Sequence, residues 1–385
     1  MATVDVQTIP ALPKANFKPI IQTSLAPKKS AHGATVFDPM VHLNYRAPEN
    51  KVMMEDLDFS KDTGISPIAV SEPFTLFTEE CIQRFREEVL SEEVQKNCAV
   101  ESNIAACQVR GYAAKYAPFI YDAWNHPEVL AIVSKIAGIE LIPQMDLEIG
   151  HTNISVKSEK DTRAELAAVE EQRKSYAADE GIAGCPWEDD KPILGWHNDS
   201  YPFVCITMLS DCTNMIGGET AMRTGTGGVM KVRGPQMGCA VVMQGRYITH
   251  QALRALGAQE RITMVTSFRP KSPHYRDDVC LATVRGISNL SDLYHEFSEY
   301  RLEMLEERIR HQLKKLRGAH NAGKKTDTKQ IKDFLVEQME FLKRTDEELV
   351  LDELVVKGHQ PIRDIPNAVS SSIEESTPKK KARME

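Results

Sequence analysis

Gly195-Trp196-His197-Asn198-Asp199-Ser200-Tyr201-Pro202-Phe203 is the stretch on which the reading of this chain turns. In an extended strand, residues two apart point the same way. His197 and Asp199 therefore present an imidazole and a carboxylate to one point, while Asn198 faces away. His250 stands well downstream, before a short loop and then Arg261-Ile262-Thr263. Two imidazoles and one carboxylate hold a divalent metal from one side and leave coordination positions open on the other. A lone H-x-D triplet is weak, since one chance occurrence is unremarkable at this His and Asp content. The downstream residues give it weight.

Around this stretch the pattern is short strands at close spacing: 203–209, 219–224, 229–233, 239–243, 246–250 and 261–268. Glycines punctuate them at Gly217-Gly218, Gly225, Gly227-Gly228, Gly234, Gly238 and Gly245. Many short strands separated by turn residues predict a sandwich, barrel or jelly roll. His250 falls at the end of the 246–250 strand in this reading. Arg261, Thr263, Val265 and Ser267 share one strand face, and Ile262, Met264 and Phe268 the other. An arginine and a threonine pointing into an apolar barrel need a partner, because a buried unpaired guanidinium is costly. A small carboxylate in the guanidinium fork would satisfy them. An internal salt bridge to an acid such as Glu219 is the bland alternative.

The flanks read as helix. Residues 78–96 form one amphipathic helix with Thr78 as N-cap. A second starts near Pro127 and ends at Gly138. Residues 145–156 read as a strand with Ile149, His151, Asn153 and Ser155 on one face. The charged, Ala-rich 157–190 segment reads as a helical insertion or lid hinged at Gly181, Gly184 and Pro186. From Ser288 apolar residues recur at helical spacing through Leu316, and Ile331 to Leu342 gives another helix after the Gly318–Lys325 break. The expected organisation is an N-terminal extended arm (1–75, with 36–45 lying on the core) and a catalytic domain (76–286). A C-terminal helical region (287–356) and a polar, disordered tail (357–385) follow.

The chain has 385 residues, 42% hydrophobic and 26% charged, an ordinary globular balance. Its net charge of −8 argues against nucleic acid or an anionic membrane surface as partner. No stretch approaches bilayer length, and the N-terminus has no secretory pattern. The eight cysteines include no C-x-x-C pair, which suggests reduced thiols in an intracellular protein. The cytoplasm is the expected compartment. Pro378-Lys379-Lys380-Lys381-Ala382-Arg383 resembles a nuclear-import signal, although such a run is more often a solvated tail.

Trp196-His197-Asn198-Asp199, Gly217-Gly218-Glu219-Thr220, His250 and Arg261-x-Thr263 together resemble the Fe(II)/2-oxoglutarate-dependent dioxygenases. The W-H-x-D form is similar to the phytanoyl-CoA-hydroxylase-like branch, and the run from Gly195 to Pro270 resembles fungal members found in secondary metabolism. The motif matches cover about residues 145–270. The resemblance implies an α+β chain with a double-stranded β-helix (jelly-roll) core flanked by N-terminal and C-terminal helices. It implies iron on His197, Asp199 and His250. It also implies the distal carboxylate of 2-oxoglutarate on Arg261 with help from Thr263. The cofactor's other carboxylate has no fixed motif, and Asn153 is the candidate. With O2, such enzymes oxidise an unactivated C–H bond and release succinate and CO2. The outcome is hydroxylation, desaturation or cyclisation. Some fungal members act on small aliphatic amino acids, including aziridine closure from valine.

Other residues carry two readings each. His151 lines the substrate pocket or is a core histidine with a backbone partner. Tyr201 contacts substrate or covers the core. Arg223 and Arg246 bind a substrate carboxylate or, the favoured reading, are solvated-face or loop-salt-bridge residues. The Leu/Phe stripe of 290–316 packs the core or a homodimer. Against a small-metabolite oxygenase stand a protein-modifying 2-oxoglutarate hydroxylase, an iron dioxygenase without 2-oxoglutarate and a non-catalytic jelly-roll scaffold.

Overall fold

The computed structural model describes residues 36–101, 107–177, 192–213, 215–232 and 236–358. The fold is α+β, with two facing antiparallel sheets and helices outside them. The chain enters through α1 (Pro39–His42), a single turn where sequence reading expects an extended segment. Asp38 caps it by accepting from the Met40 N–H, and Pro39 presets the first helical φ. The segment still lies on the core, with Phe37 and His42 buried. β1 (Lys51–Met53), β2 (Ile68–Ser71) and β3 (Phe74–Thr75) follow. β1 pairs with β2, and both β2 and β3 pair with a central strand, so the expected arm boundary at 75 cuts through the main sheet.

The helix expected over 78–96 is two: α2 (Glu79–Val89) and α3 (Glu92–Cys98). Thr78 caps the first through the Cys81 N–H, and Ser91 caps the second through the Val94 N–H. The Ser91 hydroxyl restarts the helix where apolar periodicity alone would run on. β4 (Ala99–Val100), β5 (Gln108–Val109), α4 (Ala113–Tyr116), α5 (Pro118–Asn125) and α6 (Pro127–Ala137) come next. α6 ends at Gly138 with φ 75°, the left-handed cap expected there.

After β6 (Leu141–Pro143), Asp146–Glu148 form a 3-10 turn and Gly150 takes φ 77°. β7 therefore covers only His151–Val156, half of the strand expected over 145–156. α7 (Glu159–Ala177) is the insertion; Gly181, Gly184 and Pro186 lie outside the described residues, as do residues 359–385 and the Pro378–Arg383 run. Then come β8 (Pro192–His197), β9 (Phe203–Met208), β10 (Ile216–Gly217), β11 (Thr220–Arg223), β12 (Val229–Val232), β13 (Cys239–Met243), β14 (His250–Leu253), β15 (Ala255–Leu256) and β16 (Glu260–Pro270). α8 (Ala282–Arg285), α9 (Leu290–Asn321) and α10 (Thr328–Glu348) close the described chain.

The major sheet runs β1-β2-β13-β9-β16-β7-β5-β4, and the minor sheet runs β12-β11-β14-β8. From β8 to β16 the chain passes back and forth between the sheets, as in a double-stranded β-helix. Strand alternation gives the major sheet two unlike faces. Its outer face packs Cys205, Val242, Ile262, Met264 and Phe268 against Phe85, Trp124, Val133 and Ile136 of the helices. Burying one such side chain stabilises by about 1.5–3 kcal/mol. Its inner face sets Val70, Val204, Val241 and Met243 against Met222 and Val232 of the minor sheet. A third cluster seats α9 and α10 on one end of the barrel through Leu147, Tyr201, Leu293, Phe297, Tyr300 and Phe341. Among the described residues no helix is long and apolar enough to cross a membrane.

Candidate metal centre

His197 is the last residue of β8, and His250 is the first of β14, its register partner in the neighbouring antiparallel strand. Sequence reading expects His250 at the end of a strand over 246–250. Residues 245–248 instead form a turn, with the Tyr247 N–H bonded to the Gln244 carbonyl at 3.0 Å. Asp199 sits in the turn after β8, and its N–H donates to the Gly245 carbonyl at 3.0 Å. The two turns thus bring three side chains together, with one ligand atom of each within 4.8 Å of the others. Asp199 Oδ1 lies 3.7 Å from His197 Nε2 and 3.7 Å from His250 Nε2.

Backbone carbonyls fix both imidazoles. His197 Nδ1 bonds to the Gly195 carbonyl at 2.8 Å, and His250 Nδ1 to the Ile248 carbonyl at 2.9 Å. A carbonyl only accepts, so each Nδ1 carries the proton and each Nε2 carries the lone pair, the tautomer a metal ligand needs. Asn198 faces away, donating to the Arg246 carbonyl and accepting from Thr249 Oγ1. Trp196 lies under the Arg223 guanidinium, 4.7 Å from the ring centroid. Two imidazoles oriented by backbone carbonyls and one carboxylate suit a hard-to-borderline divalent cation with open positions.

The inner face of the major sheet packs against the minor sheet beside His250, through Met222, its register partner. β16 pairs with β7 so that Arg261 faces Ser155, Thr263 faces Asn153, and Val265 faces His151, all on the inner face. Thr263 is buried. Arg261 is half-buried, and its Nε has no hydrogen-bond partner among the described residues. Burial draws its pKa below the usual arginine value, with no carboxylate to counter the effect. The bridge to Glu219 does not form. Asn153 accepts a 2.7 Å bond from Gln108 Nε2, which orients its amide across the face.

Sequence reading misses Gln108, Arg110 and Glu148. Arg110 and Glu148 form a fully buried bidentate pair; Tyr201 donates its hydroxyl to the same carboxylate, and Arg110 Nε donates to Ser288 Oγ at 2.8 Å. The available signal is a lone charge between apolar neighbours, in Val109-Arg110-Gly111 and Leu147-Glu148-Ile149. Arg110 also reaches His151 Nδ1 at 3.3 Å. Arginine can only donate, so Nδ1 accepts and the ring's proton sits on Nε2. Burial, and then the Arg110 charge, push the His151 pKa down to about 3, so it is neutral at ordinary pH. Tyr201 is a core residue. Arg246 is buried rather than solvated, with Nε donating to the Asp278 carbonyl at 2.6 Å, whereas Arg223 is exposed. Glu148→Ala strands the buried Arg110 charge, and such a loss costs about 3–5 kcal/mol. Urea denaturation is expected to show an unfolding free energy lower by that amount, read as a lower midpoint at unchanged slope. An unchanged midpoint would mean the pair contributes nothing.

No protein-family model and no curated protein matches the chain. Among solved structures it is similar to SnoN, a non-haem α-ketoglutarate-dependent epimerase from nogalamycin biosynthesis, at 15% identity over 50% of this chain and 72% of that one (TM-score 0.32). It is also similar to an oxidoreductase of the 2OG-Fe(II) oxygenase family from Burkholderia pseudomallei (14% identity, 59% and 95% covered, TM-score 0.35). A third is a prolyl 4-hydroxylase from Phytophthora capsici (15%, 89% and 92%, TM-score 0.33). Likeness this distant assigns no reaction to the chain, and the functional reading rests on its own side chains.

Proposed function

We propose that this chain is a non-haem Fe(II)/2-oxoglutarate-dependent oxygenase that oxidises an unactivated C–H bond of a small metabolite. One observation carries the reading. A His-Asp-His triad with both Nδ1 atoms held by backbone carbonyls stands opposite a sheet face that carries an arginine whose Nε is buried without a partner among the described residues. His197, Asp199 and His250 would hold the iron. Arg261, with Thr263 beside it, would take the distal carboxylate of 2-oxoglutarate, and Asn153, braced by Gln108, the other. Iron, 2-oxoglutarate and O2 supply the oxidising equivalents for C–H cleavage, with release of succinate and CO2.

The protein supplies position and dryness. The carbonyls of Gly195 and Ile248 hold the two imidazoles in their ligating tautomer. Val204, Ile206 and Val265 line the inner face beside the polar residues and exclude water from the reacting carbon. His151, on the same inner face as Thr263 and against Arg110, stays neutral. The outcome is hydroxylation, desaturation or cyclisation, and a small aliphatic amino acid is one candidate substrate. Anaerobic visible absorption tests the reading, with Fe(II) added first and 2-oxoglutarate second. A weak charge-transfer band in the wild type that is absent in His197→Ala supports it. A folded wild-type chain without the band sinks it.

A further inference from the structure

We infer that the α9–α10 hairpin is a self-association surface whose partner is a second copy of this chain, docked antiparallel across a two-fold axis at Ile309. α9 turns Phe297, Tyr300, Arg301, Met304 and Arg308 inward. A different side carries Leu302, Ile309, Leu313 and Leu316, which are 57%, 42%, 41% and 38% exposed. Leu302, Ile309 and Leu316 recur at the heptad interval, which keeps them in one seam along the helix. α10 exposes Leu335, Met339 and Leu342 in the same way. The two helices run antiparallel, since Arg301 bonds to Thr345 and Phe341 and Arg308 to Gln338. Both stripes lie in the same rotational sense from the shared contact, so in an antiparallel pair they fall on one side. The surface is rigid in advance: the Arg301 guanidinium lies 3.1 Å from Asp277 Oδ1 and 3.7 Å from the Phe341 ring centroid.

Charge identifies the occupant. Beside the α9 seam the first half carries Glu299, Glu303 and Glu306, and the second half carries Arg310, Lys314 and Arg317. A second α9 laid parallel would set like charges together. Laid antiparallel about Ile309, it places Leu302 at Leu316 of the second copy. It also places Glu299 and Glu303 alongside the second copy's Arg317 and Lys314, while Glu306 and Arg310 pair with each other within each helix. The sequence is self-complementary in that one arrangement, which is the requirement of an isologous dimer. An anionic bilayer fits poorly, because half of the flank is acidic.

Sedimentation velocity on the full chain tests this. The wild type is expected to sediment as a dimer. Ile309→Glu puts two carboxylates on the axis and is expected to raise the dimer dissociation constant about thirtyfold or more. Its far-UV circular dichroism should not change, because Ile309 lies off the packed face of α9, and its melting temperature should fall only to the concentration-independent value of the monomer. Two charge-reversed chains, Glu299→Lys/Glu303→Lys and Lys314→Glu/Arg317→Glu, should each be monomeric alone and dimerise when mixed. A monomeric wild type at about 100 µM, where even a weak specific pair would form, overturns the inference. So does a dimer that survives Ile309→Glu, or a mixture of the reversed chains that fails to associate.

Discussion

Gly245→Ala is expected to leave a folded chain that no longer holds iron. A Cβ on residue 245 would overlap Asp199 Oδ2 and lie 2.6 Å from Asp199 Cγ and 3.1 Å from its Cβ. The two turns cannot part to make room without breaking the bond from the Asp199 N–H to the Gly245 carbonyl. The cheaper response is for the carboxylate to swing away from the two imidazoles. The backbone itself accepts alanine, because Gly245 is not among the glycines with positive φ. Disturbing the outer shell of a metal site typically costs about 10- to 100-fold in affinity. Displacing a ligand should cost at least the upper end of that range. Calorimetric titration with Fe(II) or Mn(II) under nitrogen measures it, with the melting temperature recorded alongside. Wild-type affinity in Gly245→Ala would falsify the placement of Asp199 in the metal site.

This contact also marks where sequence reading stops. Spacing alone sets His197 and Asp199 toward one point, and strand alternation puts Arg261 and Thr263 on one face, because both arguments use neighbours along a single strand. Thr78 and Gly138 are legible for the same reason: a cap is a local bond. The approach of Gly245 to Asp199 joins two turns remote in sequence, and no periodicity encodes it. Arg110 and Glu148 are each visible as a lone charge among apolar residues, but only the fold pairs them. The minor sheet was hardest. β8 and β14 are short and their ends are set by pairing with each other, so the strand expected to end at His250 instead begins there. The N-terminal strands fail differently. β1 and β3 have three and two residues, too few to show alternation.

Arg261→Leu should separate stability from function in opposite directions. In the chain without cofactor the Arg261 Nε is buried with no partner among the described residues, and burial lowers the guanidinium pKa. An uncompensated charge of this kind is a cost to the fold, so an apolar side chain there should stabilise by about 1 kcal/mol, the low end for such replacements because leucine is shorter and leaves space. Under the proposed function the same change also removes the anchor of the cofactor's distal carboxylate. Truncating one partner of a buried charge pair costs about 2–5 kcal/mol. That is roughly 30-fold to several-thousand-fold more 2-oxoglutarate needed to saturate the anaerobic charge-transfer band. Pyruvate has the same chelating end and no distal carboxylate, so its titration should be equal in the two proteins. Differential scanning calorimetry should show the complementary picture. Added 2-oxoglutarate raises the wild-type melting temperature by mass action and leaves that of Arg261→Leu, already higher, nearly unmoved. A residue kept only for packing would lose stability on substitution and treat both 2-oxo acids alike. A rise in stability with a loss confined to the dicarboxylate is what a cation reserved for a ligand produces.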